Sequence, residues 1–423
     1  ELENLLMNNN LDIEFAIGKK NKIYIFQVRP LFVKPKPRKF ERIILKKYKK
    51  NENKYNYYKL RSNFSDSNKI IFGVMPDWNP AEIIGFKPSN LSLSLYQKLI
   101  TQNNWAKQRY QFGYKKIKSP KLIEDFCGTP YVCVNKSIES FLPNKLSNVI
   151  SKKICNISLN KLIENPNKHD KIEFDIISNC LDFDFKNWKK FYSKNGILNK
   201  ELNIYMNSLK NINKGAMKTY LINSSKLDFY KNLQLPNSGN SFEKIKNLLE
   251  ICTNELTLMF AHFARCGFIS VIIMNSALKR KKINQKSYNN FFNSIKTISK
   301  EFQNDIKLYK NKRLTKSYII RKYGHLRPGT YDITSPRYDE KLDLILKEPI
   351  TKSISYKDCY KKSSTFSEKF LNDLKEIGLS GNKADIIDFF FGSVEKRESS
   401  KFLFTKYLSE ILKLISKELK KIE

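Results

Sequence analysis

The sequence predicts an α+β fold that is mostly α, with a β-hairpin near its start and a largely helical body after it. Three observations predict it. Residues 11–31, LDIEFAIGKKNKIYIFQVRPL, alternate polar and apolar side chains with the two-residue period of a strand on both sides of a polar turn. From Asn240 onward the apolar residues recur instead at 245, 248, 249, 252, 256, 259, 260 and 263, the three-to-four spacing of a helix. Finally, 41% hydrophobic residues in a chain of 423 are enough to bury a sizeable core, which excludes general disorder.

In the first strand Asp12, Glu14 and Ala16 face one way and Ile13, Phe15 and Ile17 the other, ahead of a turn at Gly18-Lys19-Lys20-Asn21. Strict alternation in the second sets Ile23, Ile25, Gln27 and Arg29 against Tyr24, Phe26 and Val28. Asp12, Glu14, Gln27 and Arg29 are therefore expected on one side. Residues 34–69 are proline-led and crowded with charge, and they read as a basic linker with some local structure between an N-terminal unit, 1–33, and a mostly helical domain, 70–423. That domain opens with IIFGV, a loop punctuated by Pro76, Asp77, Asn79 and Pro80, and a helical pattern through LSLSLYQKLITQNNW. FCGTPYVCVNKSIESFLP, 126–143, reads as a structural strand and turn. The helix that starts at Asn240 has its N-cap there, with Glu243 three residues on, and is apolar enough late in its course to belong at the centre. Further helices are expected at 286–308, 312–322, 366–377, 383–391 and 398–421.

The formal charge of +37 would ordinarily point to nucleic acid or an anionic surface. The basic residues are 66 Lys to 12 Arg beside abundant Asn and Ile, and A/T-rich codons account for that composition without a ligand. The seven cysteines are odd in number, scattered and never in a C-x-x-C pair, as expected of reduced thiols in a cytoplasmic protein. The longest apolar stretch, Leu256 to Leu278, is interrupted by His262, Arg265, Asn275 and Ser276, so no membrane span is expected.

Four groups of residues could carry chemistry. Two carboxylates two apart on a strand can share a divalent ion, a glutamine oxygen extends that hard shell, and an arginine meets phosphate; Asp12, Glu14, Gln27 and Arg29 thus suit Mg-nucleotide or form a plain solvent-facing side. In YGHLRPGTYDITSPRYDE, 323–340, His325 can move protons and Arg327 and Arg337 can hold anionic oxygens beside Asp332, or side chains tie a structural turn. Glu255, His262 and Arg265 fall on one stripe of the central helix, as a satisfied core network or a pocket wall. Asp77, Trp78, Asn79 and Glu82 line a site or serve as caps and turn residues.

The hairpin text closely resembles the end of the ATP-grasp nucleotide-binding domain of phosphoenolpyruvate synthases and pyruvate phosphate dikinases, where an acid-x-Glu strand precedes one ending Gln-x-Arg. The resemblance implies that Glu14 and Gln27 ligate Mg2+ with help from Asp12, and that Arg29 contacts the phosphates of ATP. The 323–340 run resembles a Gly-His-Arg-like segment in the substrate domains of dikinase-like enzymes such as rifampin phosphotransferases, with Leu326 where many carry a basic residue. FAHFARCGF resembles the same middle domains. MPDWNPAEIIG, with Trp105, Arg109 and Gly113-Tyr114, resembles dikinase-like proteins of cell-surface carbohydrate functions.

Together these resemblances imply a kinase-type transferase in which ATP phosphorylates a histidine on a swivelling domain that carries the phosphoryl group to a small-molecule acceptor. His325 would be the acceptor's base or orienting group, with Arg327 and Arg337 gripping the incoming phosphoryl group, in a pocket shared with His262 or Arg265. Only ten residues precede the hairpin and no phosphohistidine motif follows, so the resemblance implies an internal fragment, inactive alone. Its partners would be the front of the ATP-grasp domain and the histidine domain, in cis or in trans. The competing reading is a non-catalytic basic protein that binds nucleic acid or another polyanion, which requires its cations on one face with exposed aromatics.

Overall fold

The computed structural model describes residues 2–8, 11–18, 21–30, 41–60, 70–233, 239–341 and 366–421. Strands β1 (Leu11–Ile17) and β2 (Ile23–Pro30) form the expected antiparallel hairpin, with Asp12 opposite Arg29 and Glu14 opposite Gln27. Beyond Glu14 the register shifts by one residue at Phe26, so that Phe15 pairs with Ile25 and Ile17 with Ile23. This bulge corrects the strict alternation expected in β2. Cross-strand partners share a face, so Ile23 and Ile25 join Ile13, Phe15, Ile17 and Val28 on the apolar side, and Tyr24 joins Ala16 on the polar one.

The segment expected as a linker contains a 20-residue helix, α1 (Glu41–Leu60), while 31–40 and 61–69 lie outside the described residues. Side chains of α1 reach the small sheet that begins the body: Lys54 pairs with Glu124 at 3.0 Å and donates to the Asp125 carbonyl, and the Tyr55 ring meets Phe72 edge-on. That antiparallel sheet has the order β3 (Phe72–Gly73), β5 (Thr129–Cys133), β4 (Ile123–Phe126). Cys127 and Gly128 both take positive φ in the two-residue turn joining β4 to β5, the geometry that matches strand twist in a tight hairpin.

The helical body is built on α2 (Asn104–Phe112), α3 (Asn199–Asn232), α4 (Ser241–Lys279) and α5 (Lys383–Leu419). At the head of α4, Asn240 and Glu243 make the reciprocal capping bonds that the sequence signals. α4 is apolar and long enough to cross a membrane, with a mean hydropathy of 1.8 over its richest window, yet 72% of that window is buried inside the fold. It crosses α5 closely where small residues meet: Gly267 lies against the Ser393 backbone, and Ser270 and Ser393 share a hydroxyl hydrogen bond of 3.0 Å. α4 is not uniformly wound, since Cys252–Leu256 forms a π turn, as does Gln97–Thr101 ahead of α2. The Asn104 amide bridges the two, donating to the carbonyls of Leu99 and Thr253 at 2.8 and 2.7 Å.

Helix boundaries depart from expectation in two places. The 286–308 helix is divided into Gln285–Ser294 and Ile298–Lys310, because Thr297 caps a new start by accepting from the Lys300 N–H. The helices expected at 383–391 and 398–421 are one 37-residue helix, continuous through Gly392. Helix Glu368–Glu376 lies within its expected span, and Lys316–Tyr323 overlaps the expected 312–322, ending one residue beyond it. Cys133, Cys155, Cys180, Cys252 and Cys266 are buried thiols and Cys127 is exposed; Cys359 lies outside the described residues.

Candidate functional site

On the polar side of the hairpin, Arg29 Nε donates to Asp12 Oδ2 at 2.6 Å. Glu14 and Gln27 stand directly opposite each other, exposed, with no hydrogen bond from either side chain among the described residues. A carboxylate and an amide oxygen side by side, with the remaining directions open, fit a cation such as Mg2+ that keeps several waters. Among the described residues no three His, Cys, Asp or Glu side chains gather to form a metal cage.

A second arrangement lies in the interior. Arg109 on α2, 3% exposed, pairs with Asp77 at 2.7 Å and donates to the Ser140 hydroxyl, while Ser137 donates to the other Asp77 oxygen at 2.9 Å. Its guanidinium lies 3.8 Å from the centre of the Phe141 ring, and Arg265 on α4 lies 4.7 Å from the same ring. Arg265 donates to Asn179 Oδ1 at 3.4 Å and has no ion pair among the described residues. Burial pulls the Arg109 pKa down, with Asp77 opposing, and pushes that of Glu173 up, with Arg265 opposing. Asp77 and Trp78 take successive positive φ values of 27° and 57°, a costly conformation for side-chain-bearing residues. Three bonds hold it: the Asp77–Arg109 pair, the Ser137 hydroxyl donating to Asp77, and the Tyr96 hydroxyl donating to the Trp78 carbonyl. Asn79 is the N-cap of Pro80–Ile83, accepting from the Glu82 N–H.

The expected stripe on α4 is split. His262 is buried and neutral, accepting at Nδ1 from Gln108 and donating from Nε2 to Gln111, both at 3.2 Å, and burial lowers its pKa to about 4. Glu255 lies in the π turn and pairs outward with Lys226 at 2.8 Å. The extra residue in that turn breaks the phase that unbroken helical spacing assumes.

The 323–340 loop packs along α5. His325 is buried with its ring edge-on to Phe402 at 4.6 Å, its Nε2 has no partner among the described residues, and burial takes its pKa to about 4. Asp332 builds the turn, accepting from the Thr334 N–H and hydroxyl. Arg337 grips Asp339 with two bonds of 2.9 and 2.7 Å and reaches Glu410 at 3.4 Å. Arg327 instead makes three contacts of 3.3 Å, to the carbonyls of Asp332 and Ser335 and the Ser409 hydroxyl, and its buried Nε has none. Beside it a cleft of about 640 Å³ opens between the end of the loop and the last third of α5. Of the expected pocket residues Arg327 lines this cleft, whereas His325, Arg337, His262 and Arg265 do not; the contacts of the last two run to α2, Asn179 and Phe141, so this cleft is not the expected shared pocket.

The chain matches no family model, no curated protein and no solved structure. Sequence reasoning passed over Gln108, Gln111 and Glu173, which sit in no motif, and over Ser137 and Phe141, which lie in the 126–143 run read as a structural strand and turn.

Proposed function

We propose that this chain takes part in cytoplasmic ATP-dependent phosphoryl transfer of the phosphoenolpyruvate synthase type, its hairpin holding Mg-nucleotide and its helical domain presenting a small-molecule acceptor. The observation that supports this reading is the hairpin register, which sets Glu14 against Gln27 and Asp12 against Arg29 on one side. Glu14 and Gln27 would hold the metal, which when bound neutralises charge on the phosphates. Asp12 orients the Arg29 guanidinium, whose remaining N–H groups have no partner among the described residues and can meet phosphate oxygens. The rest of an ATP-grasp domain and a phosphohistidine domain would be the partners, in cis or in trans.

Mn2+ in place of Mg2+ provides the test, because paramagnetic resonance reports free Mn2+ directly. ATP-dependent Mn2+ binding is expected in the unmodified chain and should fall at least tenfold in Glu14→Ala and in Gln27→Ala. With labelled ATP the chain alone should acquire no base-stable label. Undiminished Mn-ATP binding in the Glu14→Ala/Gln27→Ala double variant would remove the nucleotide assignment.

A further inference from the structure

We propose that the cleft between the 323–340 loop and the C-terminal third of α5 binds a small ligand bearing two or more phosphate groups. Its volume of about 640 Å³ is that of a small-molecule site. Six charged side chains line it: Arg327, Glu340, Glu410, Lys413, Lys417 and Lys420. Both carboxylates are already engaged by Arg337. Glu340 accepts its backbone N–H at 2.9 Å, and Glu410 accepts its guanidinium at 3.4 Å. The four cations are not engaged in this way. Arg327 has no carboxylate partner and only long contacts to neutral oxygens, and the three lysines make no ion pair among the described residues.

The spacing of those lysines reinforces the point. Lys413 and Lys417 lie four residues apart in the last turns of α5 and Lys420 is its C-cap, so the three like charges fall on one side of the helix end, where the helix dipole offsets part of their mutual repulsion. Arg327 sits across from them at the base of the loop and offers the planar fork that suits phosphate oxygens. Set against the two carboxylates, the four cations leave a net charge of +2 on the lining, half of which a monoanion would leave uncompensated and all of which a diphosphate covers. A nucleic-acid backbone needs cations strung along a track, and these four surround one cavity. Identifying this ligand with the acceptor rests on the phosphotransfer reading above; the binding itself does not.

Titration calorimetry of the full chain with pyrophosphate and with inorganic phosphate tests the proposal. Pyrophosphate is expected to bind one to one and at least tenfold tighter than phosphate. Arg327→Gln and the triple variant Lys413→Gln/Lys417→Gln/Lys420→Gln should each lose at least tenfold, with Arg327→Lys between them and the unmodified chain. The exposed triple Lys186→Gln/Lys190→Gln/Lys194→Gln removes the same charge elsewhere and should bind as the unmodified chain does. The lysine substitutions are all at exposed positions, so a folding failure of Arg327→Gln leaves the test intact. Equal losses in the two triples, absence of saturable pyrophosphate binding, or tighter binding of a single-stranded oligonucleotide lost equally in both would each overturn the proposal. Glu14→Ala should leave pyrophosphate binding unchanged, which separates this site from the hairpin.

Discussion

Arg109 shows at the scale of one residue what a buried charge contributes. Its partner Asp77 is nearly as buried, and the pair is supported by Ser137 and Ser140 and held against Phe141. Removing one partner strands the other, so Arg109→Met should destabilise the protein by about 3–5 kcal/mol in urea unfolding, the usual scale for an uncompensated buried charge. The double variant Arg109→Met/Asp77→Asn should recover part of that loss; additive losses would show that the pair is not coupled. Composition gave a clue to such positions. With 66 lysines the chain offers cheap positive charge everywhere, so its 12 arginines are the more informative cations. Arg109, Arg265, Arg327 and Arg337 all hold interior or loop-building places that a planar fork suits. Asp332 and Asn79 were legible as turn and cap residues, because their bonds are local. The partners of Arg109 and His262 were not, since they come from elements 31 to 154 residues away.

Among the elements, α5 depends on a glycine in its middle. A Cβ at Gly392 would come within 2.0 Å of the Tyr220 hydroxyl, which is fixed by Asp388 at 2.7 Å and Lys396 at 2.8 Å. Gly392→Ala gains up to about 1 kcal/mol of helix propensity, but overpacking of this kind costs about 1–3 kcal/mol. We expect net destabilisation with loss of the Tyr220 bonds, measured by denaturant midpoint. At Gly267 the nearest atoms to a Cβ stand 3.6 Å away, so Gly267→Ala should be neutral or mildly stabilising by the same assay. The sequence view ended one helix at 391, just before Gly392, and began the next at 398 after the charged run Glu395-Lys396-Arg397; packing against α3 and α4 keeps α5 continuous through both. The hairpin was legible because alternation is strong, but its bulge was not, since a one-residue shift in register leaves no local signature.

For the whole molecule, pH sets buried groups against one another. His262 and His325 have folded pKa values near 4 against about 6.5 unfolded. Their contribution is complete above pH 6.5 and is lost as pH falls toward 4, where the unfolded chain binds the extra protons. Each can amount to roughly 3 kcal/mol. Asp182, raised to about 7 by burial and by Asp184, acts in the opposite sense, since its folded form binds a proton that the unfolded form releases. The His262→Gln/His325→Gln variant isolates the histidine part. Its stability between pH 7.5 and pH 5 should decline less than that of the unmodified chain, and an identical decline would refute the assignment. The mostly helical α+β class was readable from period alone. The distance between the α4 stripe and the 323–340 loop was not, because it depends on how helices stack.

The π turn at Cys252–Leu256 acts as an angular offset within α4. Each residue of an α-helix advances about 100° around the axis, so the one extra residue rotates everything downstream as a block. That rotation aims His262 at Gln108 and Gln111 and Arg265 at Phe141, while Glu255, inside the turn itself, points outward to Lys226. The orientation of α4's interior polar groups is thus set upstream of them, by how many residues the chain spends in a single turn.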